Sequence, residues 1–178
     1  MSFAFSPRAR GATLTMPLRF STVIFNALST ADALCDRDPP PEPPWPAAGS
    51  TLTAERAEAL HAHFAGEEPI DPKASSAEKR EYAAYRKARE KWLATRSPQK
   101  GKVPAYKFQS NDGWIVDAKE SALVAEAITS VLDDDDQFEL LCDILDVGRA
   151  SEKSLREGLA KFQRFNARCA KGDGYTVG

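Results

Sequence analysis

An α+β fold, mainly α-helical with a small antiparallel β-sheet made of a hairpin and a C-terminal strand, is what three features of the sequence predict. Apolar residues recur at steps of three and four through most of the chain, the spacing that lays one apolar stripe along a helix. A single segment, VPAYKFQSNDGWIVDA, switches to alternation around the turn formers Asn111, Asp112 and Gly113, the mark of a hairpin. Tyr175, Thr176 and Val177 follow Gly172 and Gly174 and read as a short strand able to pair with that hairpin. With 178 residues, 42% hydrophobic and 28% charged, the chain has the make-up of one ordinary folded core and lacks the length for two large catalytic lobes.

The elements follow in order. Phe20, Val23, Ile24, Ala27, Leu28, Ala31 and Leu34 predict a first helix over 20–34. It stops before Pro39, because six prolines between 39 and 46 leave too few amide donors and too fixed a φ for a helix or central strand. This is a strap, with Trp45 expected to pin it to its own domain in preference to serving a proline-recognition groove. Thr53 is the expected N-cap of a short helix carrying Ala57, Leu60 and Phe64 on one face and ending at Gly66. Ser75 and Glu78 form a capping box before a long helix over 76–95, with Tyr82, Tyr85, Ala88, Trp92 and Leu93 as its apolar stripe. After the hairpin, Asp117 and Glu120 form a second capping box, opening a helix whose Leu123, Ala127, Ile128, Val131 and Leu132 face inward. Phe138, Leu141, Cys142 and Leu145 mark a short helix ending near Gly148, and Ser151 starts the last helix, with Leu155, Leu159, Phe162, Phe165 and Cys169 on one side. Composition divides the chain into an N-terminal tail, helix and strap (1–52), a helical segment (53–100) and an α+β domain (101–178) expected to fold without the rest.

The net charge of −2 conceals a segregated chain. Residues 1–72 carry 5 basic and 9 acidic groups, 73–107 carry 11 and 3, 108–148 carry 1 and 11, and 149–178 carry 7 and 3. A strongly basic segment is thus joined to a strongly acidic one, a pattern that bears on partners and association rates. The first fifteen residues hold Arg8 and Arg10 and no acid, and read as an over-long start or a tail ahead of Met16 in preference to a targeting signal. No apolar run reaches the roughly 18 residues of a membrane span, so no membrane partner is expected. Cys35, Cys142 and Cys169 are odd in number and widely spaced, which implies neither a disulfide framework nor a metal knuckle and fits a reducing cytoplasm.

The string AYKFQSNDGWIVDAKE, with a far helix ending FNARCAKGDGYTV, resembles small uncharacterised proteins of bacteria and their phages, in which a KF-SNDGW-V hairpin precedes helices and a closing glycine-aromatic strand. The resemblance spans roughly the last 75 residues and rests on Ser110, Asn111, Asp112, Gly113 and Trp114. It implies a bacterial host cell or phage as source and carries no activity with it.

No complete catalytic, cofactor or metal signature is present. His61 and His63, two apart on a helix, point about 200° from one another and cannot chelate one ion from a common face. Cys142 and Cys169 sit on apolar stripes, where cysteine behaves as a small core residue. The run Asp133, Asp134, Asp135 and Asp136 lacks the register of a calcium loop, and no glycine-rich phosphate loop occurs. SNDGW is explained by turn chemistry. No catalytic residue, metal or cofactor is therefore assigned, and function must come from charged surfaces.

The leading expectation is a non-enzymatic, protein-binding module of bacterial or phage origin acting stoichiometrically, as an inhibitor of a host defence (anti-CRISPR-like) or of a toxin system. Its partner-binding residues are expected to be Asp133, Asp134, Asp135, Asp136, Glu139 and Asp143. The four aspartates are read as lying at a helix carboxyl end, where the helix dipole disfavours them. The alternative is a nucleic-acid-binding accessory protein using Arg86, Lys87, Arg89 and Lys91 on the basic helix.

Overall fold

The computed structural model describes residues 2–17, 19–62, 74–110 and 112–178. Its elements are β1 (Ser2–Pro7), β2 (Leu14–Pro17), α1 (Arg19–Thr30), β3 (Leu34–Cys35), α2 (Ala54–Ala62), α3 (Ser76–Leu93), β4 (Val103–Pro104), β5 (Trp114–Val116), α4 (Ala118–Asp133), α5 (Asp135–Ile144), α6 (Arg149–Cys169) and β6 (Tyr175–Val177). Helices dominate and the larger sheet is antiparallel, as the α+β reading requires. The chain divides into two units, Met1–Pro39 with Ala94–Gly178 and, inserted in it, Pro40–Leu93. This replaces the consecutive segments 1–52, 53–100 and 101–178, because the N-terminal strands and α1 find their packing partners beyond residue 100.

In the first unit the sheet order is β2-β1-β6-β5. Phe5 pairs with Leu14 on one side and Val177 on the other, so β1 lies inside the sheet. The expected tail is therefore a structural hairpin: Phe5 is 1% exposed, with its ring 5.1 Å from Phe162 and 5.8 Å from Tyr175. α4 packs along α6, joining Val124, Ile128 and Val131 to Leu155, Leu159 and Phe162 in one buried cluster. Gly158 permits the close approach of α1, since a Cβ there would stand 2.6 Å from the Phe20 ring. α1 ends at Thr30, short of the expected Leu34, and Asp32 takes a positive φ of 52° that turns the chain into β3.

The hairpin expected over 103–116 does not form. β4 pairs in parallel with β3, Leu34 opposite Val103, and β5 pairs with β6, Trp114 opposite Val177. Between them Ala105–Phe108 is a turn of 3-10 helix, which begins at Pro104 with φ −62°. Proline supplies no amide donor for a ladder and fixes φ, so the strand stops there. All four residues of the turn are buried, an outcome no alternating strand gives.

The second unit is built on aromatic contacts. Trp45 packs against Tyr82 and Tyr85, with ring centroids 5.3 and 5.1 Å away, and its Nε1 donates to the Ala57 carbonyl at 2.8 Å. Trp92 donates to the Pro40 carbonyl at 2.6 Å, so both ends of the strap are tied within the unit. Thr53 caps α2 through the Arg56 amide, and the Ser75–Glu78 box forms with bonds of 2.6 and 3.2 Å. Arg56, 2.7 Å from Glu78, and the Ser75 bonds hold that carboxyl down at about 2. Ala88 is exposed and drops out of the expected stripe. Phe64, Gly66 and His63 lie outside the described residues. Among the described residues no helix is long and apolar enough to cross a membrane.

Candidate interaction surfaces

The first unit is braced by a charge pair that the sequence hides. The 3-10 turn aims Lys107 inward, fully buried, where its ammonium donates to the Ile115 carbonyl at 2.7 Å and to the two Glu120 oxygens at 2.9 and 2.7 Å. Glu120 occupies the third position of α4 and also accepts from the Asp117 amide at 3.2 Å, completing the capping box. Asp117 in turn accepts from the amides of Lys119 and Glu120 at 2.8 and 3.1 Å and pairs with Arg96. Burial pulls the Lys107 pKa down and pushes that of Glu120 up, each shift being opposed by the partner's charge. Burial also raises the neighbouring Tyr106 hydroxyl to about 12. All three ammonium protons have acceptors, so the pair clamps the start of α4.

The remaining reactive side chains are likewise subdued. All three cysteines are buried, and burial raises the thiol pKa of Cys142 and Cys169, the reverse of what a nucleophile needs. Among the described residues no group of three His, Cys, Asp or Glu side chains could hold a metal. His61 falls on α2, and Asn111 of the SNDGW turn lies outside the described residues. The rest of that turn is held by structure: Trp114 donates to the Ser110 hydroxyl at 3.0 Å and Gly113 has φ +80°.

The acidic residues converge on α5. Asp133 ends α4, and Asp134 breaks the helix, its carboxylate capping α5 through the Gln137 amide at 3.1 Å. Asp135 and Asp136 occupy the first turn of α5, where the dipole favours negative charge. The expectation that all four strain a helix carboxyl end is thus corrected: three of them start a new helix. Asp135 binds Arg156 at 2.9 Å, and that guanidinium lies 3.7 Å above the Phe138 ring and reaches the Leu132 carbonyl at 2.9 Å.

Capping accounts for Asp134 and the ion pair for Asp135, but neither accounts for the outer face of α5. Phe138, Leu141 and Cys142 point into the core, while Leu140 and Ile144 are 51% and 53% exposed, the large hydrophobics that stand out to solvent among the described residues. They lie one turn apart, flanked by exposed Asp136, Glu139 and Asp143. Beside them runs a groove of about 420 Å³ whose lining includes Glu139, Asp143, Glu152 and Arg149. The face therefore joins an apolar centre to an acidic rim, the anatomy of a protein-docking patch. Asp136, Glu139 and Asp143 are among the expected partner-binding residues and Leu140 and Ile144 are not, although the fall of these two off the Phe138–Leu141–Cys142 stripe is a signal of exposure in the sequence.

The basic helix keeps only part of its expected set. Arg86, Lys87 and Lys91 are exposed on α3, whereas Arg89 turns toward the strap and pairs with Glu42 at 2.9 Å. No protein-family model matches the chain, and no curated protein and no solved structure is similar to it.

Proposed function

We propose that the protein is a non-enzymatic, stoichiometric binding module that docks the outer face of α5 onto a partner protein whose surface is basic and has an apolar recess. The observation that carries this reading is the pair Leu140 and Ile144 standing half exposed inside an acidic rim. Covering their exposed halves contributes about 1 kcal/mol each, and the carboxylates add steering and register. Inhibition of a host defence or toxin system is the narrower form of this reading, in which a bound copy covers the partner's basic working surface.

The test is affinity capture from bacterial lysate with the intact chain and with Leu140→Ser/Ile144→Ser. Both positions are exposed, so the variant keeps its melting temperature. One basic protein retained near one-to-one by the parent and lost by the variant supports docking through α5; equal retention by both removes it. Nucleic-acid binding by α3 stays as the second reading, on the outward placement of Arg86, Lys87 and Lys91 together with Lys79 and Arg80. Arg89 no longer belongs to that set.

A further inference from the structure

A second basic surface lies in the first unit, assembled from segments too far apart in sequence to be read as one. The β1–β2 turn brings Arg8 and Arg10 to the C-terminal half of α6: Arg168 donates to the Ala12 carbonyl at 3.0 Å, and a Cβ on Gly11 would stand 3.9 Å from the Arg168 guanidine nitrogen. Gly172 closes the contact, its Cβ position lying 3.3 Å from Ala9. On one side of the turn a groove of about 250 Å³ is lined by Thr13, Lys161, Arg164 and Arg168. On the other, a groove of about 520 Å³ is lined by Arg8, Arg96, Lys119, Asp117 and Asp173. Arg10, next to Gly11 in the turn, and Lys171, next to Gly172, bring the exposed cations that line or adjoin these two grooves to eight, a basic belt. Asp117 and Asp173 are the acids in its lining, and Asp117 is taken up by Arg96.

The helix dipole does not explain this belt. A cation gains from it only in the last turn, which accounts for Arg168 in a helix ending at Cys169 but not for Lys161 and Arg164. Packing does not explain it either, since Lys161 and Arg164 are exposed and make no hydrogen bond or ion pair among the described residues. Lys161, Arg164 and Arg168 instead stand one per turn on one side of α6, and Lys171 follows in the turn that closes the helix. The belt also lacks the apolar centre of a protein interface and the exposed aromatics of a single-strand platform, Phe165 and Leu14 being buried.

We propose that this belt grips the phosphate backbone of double-stranded nucleic acid without reading its sequence. The site is independent of the α5 reading, because it uses other residues at the other end of α6, whose 21 residues span about 30 Å. Lys161, Arg164, Arg168 and Lys171 give about four phosphate contacts. The salt slope is then about −4, and affinity falls roughly 10²-fold between about 50 and 200 mM salt.

The experiment is fluorescence anisotropy of a labelled duplex of about 20 bp titrated with the full chain. The parent binds with that slope. Lys161→Glu/Arg164→Glu keeps the parental melting temperature, loses at least about tenfold in affinity at low salt and flattens the slope by about 2. Arg86→Glu/Lys87→Glu on α3 binds as the parent does. The proposal is overturned if the parent fails to bind at low salt, if binding ignores salt, or if the α3 variant loses binding while the belt variant keeps it. It is equally overturned if polyglutamate competes as well as duplex at equal charge, which would assign the belt to an acidic protein.

Discussion

Replacing Lys107 by Met removes one half of a fully buried ion pair and leaves the other half in place. Glu120 then keeps its Asp117 amide bond but loses two ammonium bonds at 2.9 and 2.7 Å, and the Ile115 carbonyl loses its donor at 2.7 Å. An uncompensated buried charge costs about 3–5 kcal/mol, and in a chain of this size that lowers the melting temperature by roughly 6–20 °C. The double variant Lys107→Met/Glu120→Leu removes both charges and lands within about 2 kcal/mol of the parent, the residue of that loss being the Ile115 carbonyl and the Asp117 amide. The pH dependence has a definite sign. In Lys107→Met the folded state holds the Glu120 proton more tightly than the unfolded state does. Stability therefore falls as pH rises above the ordinary carboxylate range, and the variant melts higher at about pH 5 than at about pH 7. Glu120→Leu alone strands an ammonium whose folded pKa is lowered, so the unfolded chain binds more protons and stability rises as pH climbs toward the ordinary lysine value. Thermal melts of the three variants across that range read all of this. Additive losses in the double variant, or melting of Lys107→Met that does not depend on pH, would refute the clamp.

Asp134→Ala removes the cap of α5 and is expected to cost about 1 kcal/mol in chemical denaturation, where a carboxylate straining a helix end would give a gain. Gly174→Ala is expected to cost more than about 2 kcal/mol, since φ is +79° and the added Cβ would stand 2.0 Å from the Val116 carbonyl oxygen. Deleting residues 1–17 is expected to abolish the cooperative transition seen by calorimetry, because β6 loses one of its two neighbours and Phe5 leaves the core; for the same reason fragment 101–178 is expected to show no cooperative transition alone.

What the sequence revealed was what is local. The capping boxes of Ser75 with Glu78 and of Asp117 with Glu120 lie three residues apart and form as read. Lys107 alternates with Tyr106 and Phe108 as an outward strand residue would, yet its partner Glu120 is thirteen residues on and on another element, and only the packed chain brings them together. The N-terminal hairpin carried a signal in Leu14 and Met16, buried and alternating with exposed Thr15 and Pro17, which the arginines of the turn obscured. The four aspartates fit either a helix end or a helix start; Asp134 followed three positions later by Gln137 was the mark of a start. Surface assembly was the least legible part. The β1–β2 turn, which carries Arg8 and Arg10, meets Arg168 only through the sheet, and Leu140 and Ile144 are legible only as residues off the apolar stripe of α5, not as neighbours of a groove.

Hydrogen exchange on the full chain bound to its captured partner tests the central claim most directly. Docking through α5 predicts slowed exchange over 136–145, with the α3 segment 79–91 and the α6 segment 161–171 exchanging as in the free protein. Protection confined to either basic segment, with α5 unchanged, would contradict it.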